Sequence, residues 1–171
     1  MKRYIIVSLI LFVIVGGITS CKQEEYVHVG SNWDALHKLK APESTFNVRV
    51  SGVKKAKLGD DLSFKVTSDK SGKLWIVQAD PGDELTILFP NEKMHDNTIS
   101  AGKSVQVPPK DADWSIEASE PAGKSIVAFV VTTGDINIAD VLSGEKDMTK
   151  ALRIVDKSDE WGIEKMVVDI K

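Results

Sequence analysis

Residues 62–89 read LSFKVTSDKSGKLWIVQADPGDELTILF. Leu62, Phe64 and Val66 alternate with Ser63, Lys65 and Thr67, and Leu85, Ile87 and Phe89 alternate with Glu84, Thr86 and Leu88. A period of two sends every second side chain to one face, so each run predicts a strand buried on one side. The run between them, LWIVQA (residues 74–79), is apolar in both phases. That pattern predicts a central strand covered on both faces. Two clusters, SDKSG and DPGDE, separate the runs and supply the Asp, Pro and Gly that tight reversals require.

The same grammar extends in both directions. Phe46, Val48 and Val50 alternate with Asn47, Arg49 and Ser51, and Trp114, Ile116 and Ala118 alternate with Ser115 and Glu117. IVAFVV (residues 126–131) is a second run apolar on both faces. The VPP at 107–109 ends a strand, because proline has no amide hydrogen to give to the ladder. Strands spaced by about ten residues with such turns predict a mainly β fold, an antiparallel β-sandwich of Ig or transthyretin-like type, over residues 45–171. After Thr133 the period changes. In GEKDMTKALRIVDK, Met148, Leu152 and Val155 recur at helical spacing and predict one C-terminal helix lying across an edge or end of the sheets. WGIEKMVVDIK then predicts a returning last strand in which Met166, Val168 and Ile170 share a face.

The first twenty residues follow a different logic. Lys2 and Arg3 precede an apolar run from Tyr4 to Val15, then the small residues Gly16, Gly17, Thr19 and Ser20. That order is a secretory signal peptide over residues 1–20. A membrane span needs roughly 20 apolar residues, which this run does not reach. Ile18-Thr19-Ser20-Cys21 resembles the lipobox of bacterial lipoproteins, and the resemblance implies lipidation at Cys21, the sole cysteine. Lys22, rather than an aspartate, follows it. In such lipoproteins this implies the periplasmic side of the outer membrane, with the N-terminal lipid holding the protein there. Residues 21–44 are polar, end near a proline and read as the lipidated N-terminus and its tether, with one helical turn around Trp33 to Leu39.

Without the signal, the 22 basic residues become 20 against 25 acidic ones, a net charge of −5. Nucleic acid, whose phosphates call for a clustered basic patch, is therefore not an expected partner.

Several pieces, in order, carry a family resemblance. They are LGDDLSFKVTSDKSGKLWIVQAD, LTILFPN, NTISAGKSVQVP and WSIEASEPAGKSIVAFVV. Gly59-Asp60, Gly72 with Trp75, Phe89-Pro90-Asn91, Ala101-Gly102 with Pro108, and Pro121 to Gly123 resemble the bacterial domain DUF4384 over about residues 58–133. The resemblance implies a β-sandwich and implies no activity.

Residues that carry chemistry are sparse. His28, His37 and His95 are the three histidines, and no nucleophile motif or metal-ligand spacing accompanies them. Neither a metal nor a cofactor is expected. Asp80, Asp83 and Glu84 offer oxygens that suit calcium, but without the alternating spacing of a dedicated loop they read as an ordinary turn. Trp33 and Trp161 fall outside the alternating runs, as partner anchors or, for Trp161, as packing beneath a helix. The longest stretch without periodic pattern is PNEKMHDNTISAG (residues 90–102), and long irregular loops in compact domains are often functional. Lys93, Met94, His95 and Asp96 within it are the candidate partner-binding residues. The expectation is a non-catalytic protein-binding or scaffolding lipoprotein of an envelope or secretion assembly, engaging a periplasmic protein. The alternative is an immunity or inhibitor lipoprotein capping a toxic periplasmic enzyme.

Overall fold

The computed structural model describes residues 30–41, 46–134 and 160–171. Within them lie one helix, α1 (Ser31–Lys38), and eleven strands. The first six strands are β1 (Val48–Gly52), β2 (Lys55–Ala56), β3 (Asp61–Leu62), β4 (Phe64–Ser68), β5 (Gly72–Ala79) and β6 (Leu85–Phe89). They are followed by β7 (Thr98–Ile99), β8 (Ser104–Val107), β9 (Ile116–Glu117), β10 (Gly123–Thr132) and β11 (Trp161–Ile170). The protein is mainly β. A six-stranded sheet runs β2-β11-β10-β5-β6, with β7 also on β5; a three-stranded sheet runs β1-β4-β8; β3 and β9 form a separate pair.

The runs expected to be central are central. β5 and β10 pair from Lys73↔Thr132 to Ala79↔Ile126, and β11 pairs the other side of β10 along all ten residues. Both faces of these strands are buried, for different reasons. Leu74, Ile76, Val127, Phe129, Val131, Met166, Val168 and Ile170 join Phe64, Val66 and Val107 of the small sheet in an inner cluster. The Phe64 and Phe129 rings meet edge to face at 5.1 Å and tie the two sheets together. The opposite phase, with Trp75, Val77, Ala79, Ile126, Ala128, Val130 and Trp161, forms an outer cluster closed by Trp33 and Leu36 of α1.

Three differences from the sequence expectations have local causes. Leu85, Ile87 and Phe89 do not share a face: Phe89 pairs with Ile76 and Ile87 with Val77, so Leu88 is an extra residue. This bulge turns Phe89 into the inner cluster while Leu85 and Ile87 stay with the outer one. The sheet is also mixed rather than purely antiparallel. β2 crosses from the small sheet and runs parallel to β11, Lys55 opposite Asp169 and Ala56 opposite Ile170. Finally, Trp33 is buried, at 2% exposure, and is not an exposed anchor; Trp161, at 1%, takes the packing alternative, in the outer cluster with Trp33 and Leu36. The predicted helix with Met148, Leu152 and Val155 lies outside the described residues. No helix among the described residues is long and apolar enough to cross a membrane.

Candidate functional site

The 90–102 segment is more built than its sequence pattern predicts. Asn91 organises its start: its Oδ1 accepts the amides of Lys93 and Met94, each at 3.0 Å, and its Nδ2 donates to the Leu88 carbonyl at 3.2 Å. The backbones of Asn91 and Met94 also bond each other in both directions at 3.1 Å. Asn97 anchors the far side. It is buried, its Nδ2 donates to the Leu74 carbonyl at 3.0 Å, and its own carbonyl accepts the Leu74 amide at 2.8 Å. Asp96 Oδ1 accepts the Thr98 amide at 3.0 Å, and that bond holds the Asp96 carboxyl below its ordinary pKa. Thr98 and Ile99 then pair with Lys73 and Gly72 as β7, so two residues of the stretch belong to the sheet rather than to a loop.

The four candidate residues therefore separate. Lys93, His95 and Asp96 are exposed, whereas Met94 is half-buried against the inner cluster and acts as the turn's apolar foot. Asp96 spends one carboxylate oxygen on the turn. Glu92, Lys93 and His95 make no side-chain hydrogen bond or ion pair within the described residues. Cys21 and His28 lie outside those residues, and His37 stacks on Trp33 with ring centres 5.3 Å apart. Among the described residues no group of three or more His, Cys, Asp or Glu is placed to hold a metal ion.

The acidic turn at 80–84 has a role that no local pattern discloses. Asp80 Oδ1 accepts the amides of Gly82 and Glu84, both at 2.8 Å, and closes the turn. Asp83 is the only non-glycine residue with positive φ among those described, at 65°. Its carboxylate reaches the start of α1, where Oδ1 accepts the Trp33 amide at 2.7 Å and Oδ2 the Asn32 amide at 3.2 Å. The Asn32 side-chain amide donates back to the Asp83 carbonyl at 2.9 Å. The helix has no side-chain cap from its own Gly30, so its first amides are satisfied by a residue fifty positions away. A Cβ on Gly30 would sit 2.2 Å from Asp83 Cγ, so only glycine admits this approach.

The other end of α1 is held from the sheet. Lys165 of β11 projects on the outer face, and its ammonium donates to the carbonyls of His37 and of Leu39, the latter at 2.9 Å. A cation there satisfies terminal carbonyls and opposes the negative end of the helix dipole. Half-burial pushes the Lys165 pKa down, with Glu164 pulling it up and Lys40 adding to the decrease. Trp33 completes the docking by donating its indole N–H to the Lys124 carbonyl at 3.2 Å. Thus residues 30–41, which the sequence pattern assigned to a tether, are packed onto the sheet.

Residues 55–135 match the family model described as Domain of unknown function (DUF4384). No curated protein matches the chain. The matched span starts at β2 and ends just after β10, leaving out α1, β1 and β11. Yet β11 fills the place between β2 and β10, and α1 covers the outer face of the sheet. In this protein the matched region is completed by flanking chain on both sides.

Proposed function

We propose that this chain, which carries a DUF4384 domain, is a lipid-anchored, non-catalytic binding module of the bacterial envelope. The observation that carries the reading is the turn between Asn91 and Asn97. Its backbone is fixed at both ends, while Glu92, Lys93 and His95 extend from it with no intramolecular side-chain partner among the described residues. Fixing a loop before it meets a partner removes ordering entropy from the cost of association. A cluster of apolar residues shared by the six-stranded and three-stranded sheets supports a β-sandwich of Ig or transthyretin-like type as the scaffold. The periplasmic partner meets Lys93, His95 and Asp96, and Met94 supports the turn from below.

The lipid belongs on Cys21, and the docking of α1 bears on its geometry. Nine residues, 22–30, separate Cys21 from α1. At ~3.3–3.6 Å per residue they reach no more than roughly 35 Å, so the domain works close to the bilayer surface. A bilayer-proximal module suits a partner that is itself in or on the envelope.

The test replaces Lys93 to Asp96 with Gly-Ser and compares capture of envelope proteins, by cross-linking from solubilised membranes, with the melting temperature. Capture should fall while melting stays close to wild type. Equal capture by a folded variant removes this turn from the interface. In parallel, Cys21→Ser should abolish fatty-acid labelling and release the protein from the membrane fraction; a variant that stays bound and labelled refutes the anchor.

A further inference from the structure

We propose that the groove between β3, the end of β8 and the 108–115 segment is a binding site for a short neutral oligosaccharide. It is a surface depression of about 790 Å³, within the size range of small-molecule sites. One aromatic lines it: Trp114, half-buried, packs against the inner cluster and contributes to the groove wall. Pro108 and Pro109 lie beside it.

The polar lining is the second, independent observation. Asp61, Ser63, Gln106, Asp113 and Ser115 make no side-chain hydrogen bond or ion pair within the described residues. Several aspartates elsewhere are engaged: Asp60 accepts the Lys57 amide, Asp69 pairs with Arg49, and Asp80 and Asp96 close turns. The groove thus concentrates uncommitted groups of three kinds. The carboxylates accept, the carboxamide of Gln106 both donates and accepts, and the serine hydroxyls do either.

This set selects a ligand chemistry. Each free hydroxyl of a sugar ring both donates and accepts, and the ring has an apolar C–H face to lay on an indole. Phosphate-bearing ligands face Asp61 and Asp113 with Lys110 as the one basic lining residue, an unfavourable balance for an anion. Proline-rich peptides dock on grooves built from several aromatic side chains, and here Trp114 stands alone. A neutral sugar chain is what remains compatible with every lining group.

The four tryptophans make the experiment clean. Trp33, Trp75 and Trp161 are at most 4% exposed, so collisional quenching by acrylamide reports mainly on Trp114. The full-length protein, in a detergent without a sugar headgroup, is titrated with linear tetrasaccharides of β-1,4-linked glucose and N-acetylglucosamine. A proline-rich peptide and inorganic phosphate are titrated alongside. Expected is saturable shielding of Trp114 by at least one tetrasaccharide and not by peptide or phosphate. Calorimetry should then show a loss of affinity of about tenfold, or roughly 1.4 kcal/mol, for each of Trp114→Ala, Gln106→Ala and Asp113→Ala. Asp113 is exposed and Gln106 is half-buried with no side-chain hydrogen bond to lose, so both variants should melt close to wild type, which keeps the test valid if Trp114→Ala misfolds. No shielding by either sugar at millimolar concentration overturns the proposal. So does shielding by the peptide or phosphate instead, or sugar binding that is unchanged in Gln106→Ala and Asp113→Ala.

Discussion

Replacing Asp83 by Ala should release α1 from the sheet without touching a single residue of α1. Two effects add. Loss of the carboxylate strips the Asn32 and Trp33 amides of their acceptors, and losing a helix N-cap typically costs about 0.5–2 kcal/mol. Alanine must also hold φ at 65°, where a residue without a short polar side chain is disfavoured by roughly 1–2 kcal/mol. Together they come to roughly 1.5–4 kcal/mol. Asp83→Gly separates the two, since glycine takes this φ freely and only the cap is lost, about 1 kcal/mol. Native-state hydrogen exchange is the direct assay, because α1 opens locally before the sheet does. The Trp33 and Leu36 amides should exchange about 30-fold faster in Asp83→Ala, the factor for 2 kcal/mol, and several-fold faster in Asp83→Gly. Accessibility of Trp33 to acrylamide should rise in the same order. If α1 amides in Asp83→Ala exchange at wild-type rates, the distant aspartate is not what holds this helix.

Lys165 gives a pH signature. Its folded pKa lies below the unfolded one because burial disfavours the cation, so at high pH the folded state sheds its proton first. The unfolded state then binds more protons, and stability relative to Lys165→Met should rise as pH climbs from the folded pKa towards 10.5; a falling difference in denaturant midpoints over that window refutes the assignment. Gly30→Ala should loosen α1 much as Asp83→Ala does, because the new Cβ occupies the carboxylate's place. Because they break one contact, the double variant should exchange no faster than the worse single variant, and additive effects would separate the two sites. Trp75→Ala removes a 4%-exposed ring from the outer cluster and should cost ~3–5 kcal/mol, seen as a large drop in the circular-dichroism melting midpoint; unchanged melting would show that cluster to be dispensable.

The strands are the part of this protein that its sequence determines alone. Period-two alternation in Leu62–Val66, and runs apolar in both phases at Leu74–Ala79 and Ile126–Val131, are local statements about which side chains must leave water. Met166, Val168 and Ile170 fall on one face for the same reason, and all three are in the inner cluster. What covers each face is not local. The outer phase of β5 and β10 demands cover, but nothing in the spacing says that residues 31–38 supply part of it. That choice rests on Asp83 meeting Asn32 across 51 positions and Lys165 meeting Leu39 across 126, hydrogen bonds that exist only once the sheet has formed. The bulge at Leu88 is likewise invisible in a run that alternates on paper, because it is set by the register against Ile76 and Val77. The candidate turn divides along the same line: sequence placed Lys93, His95 and Asp96 on a surface loop, but turning Met94 inward required the side-chain anchors Asn91 and Asn97. Solvent chemistry writes itself into the chain residue by residue, whereas a hydrogen bond between distant residues is written in two places and read only when folding brings them together.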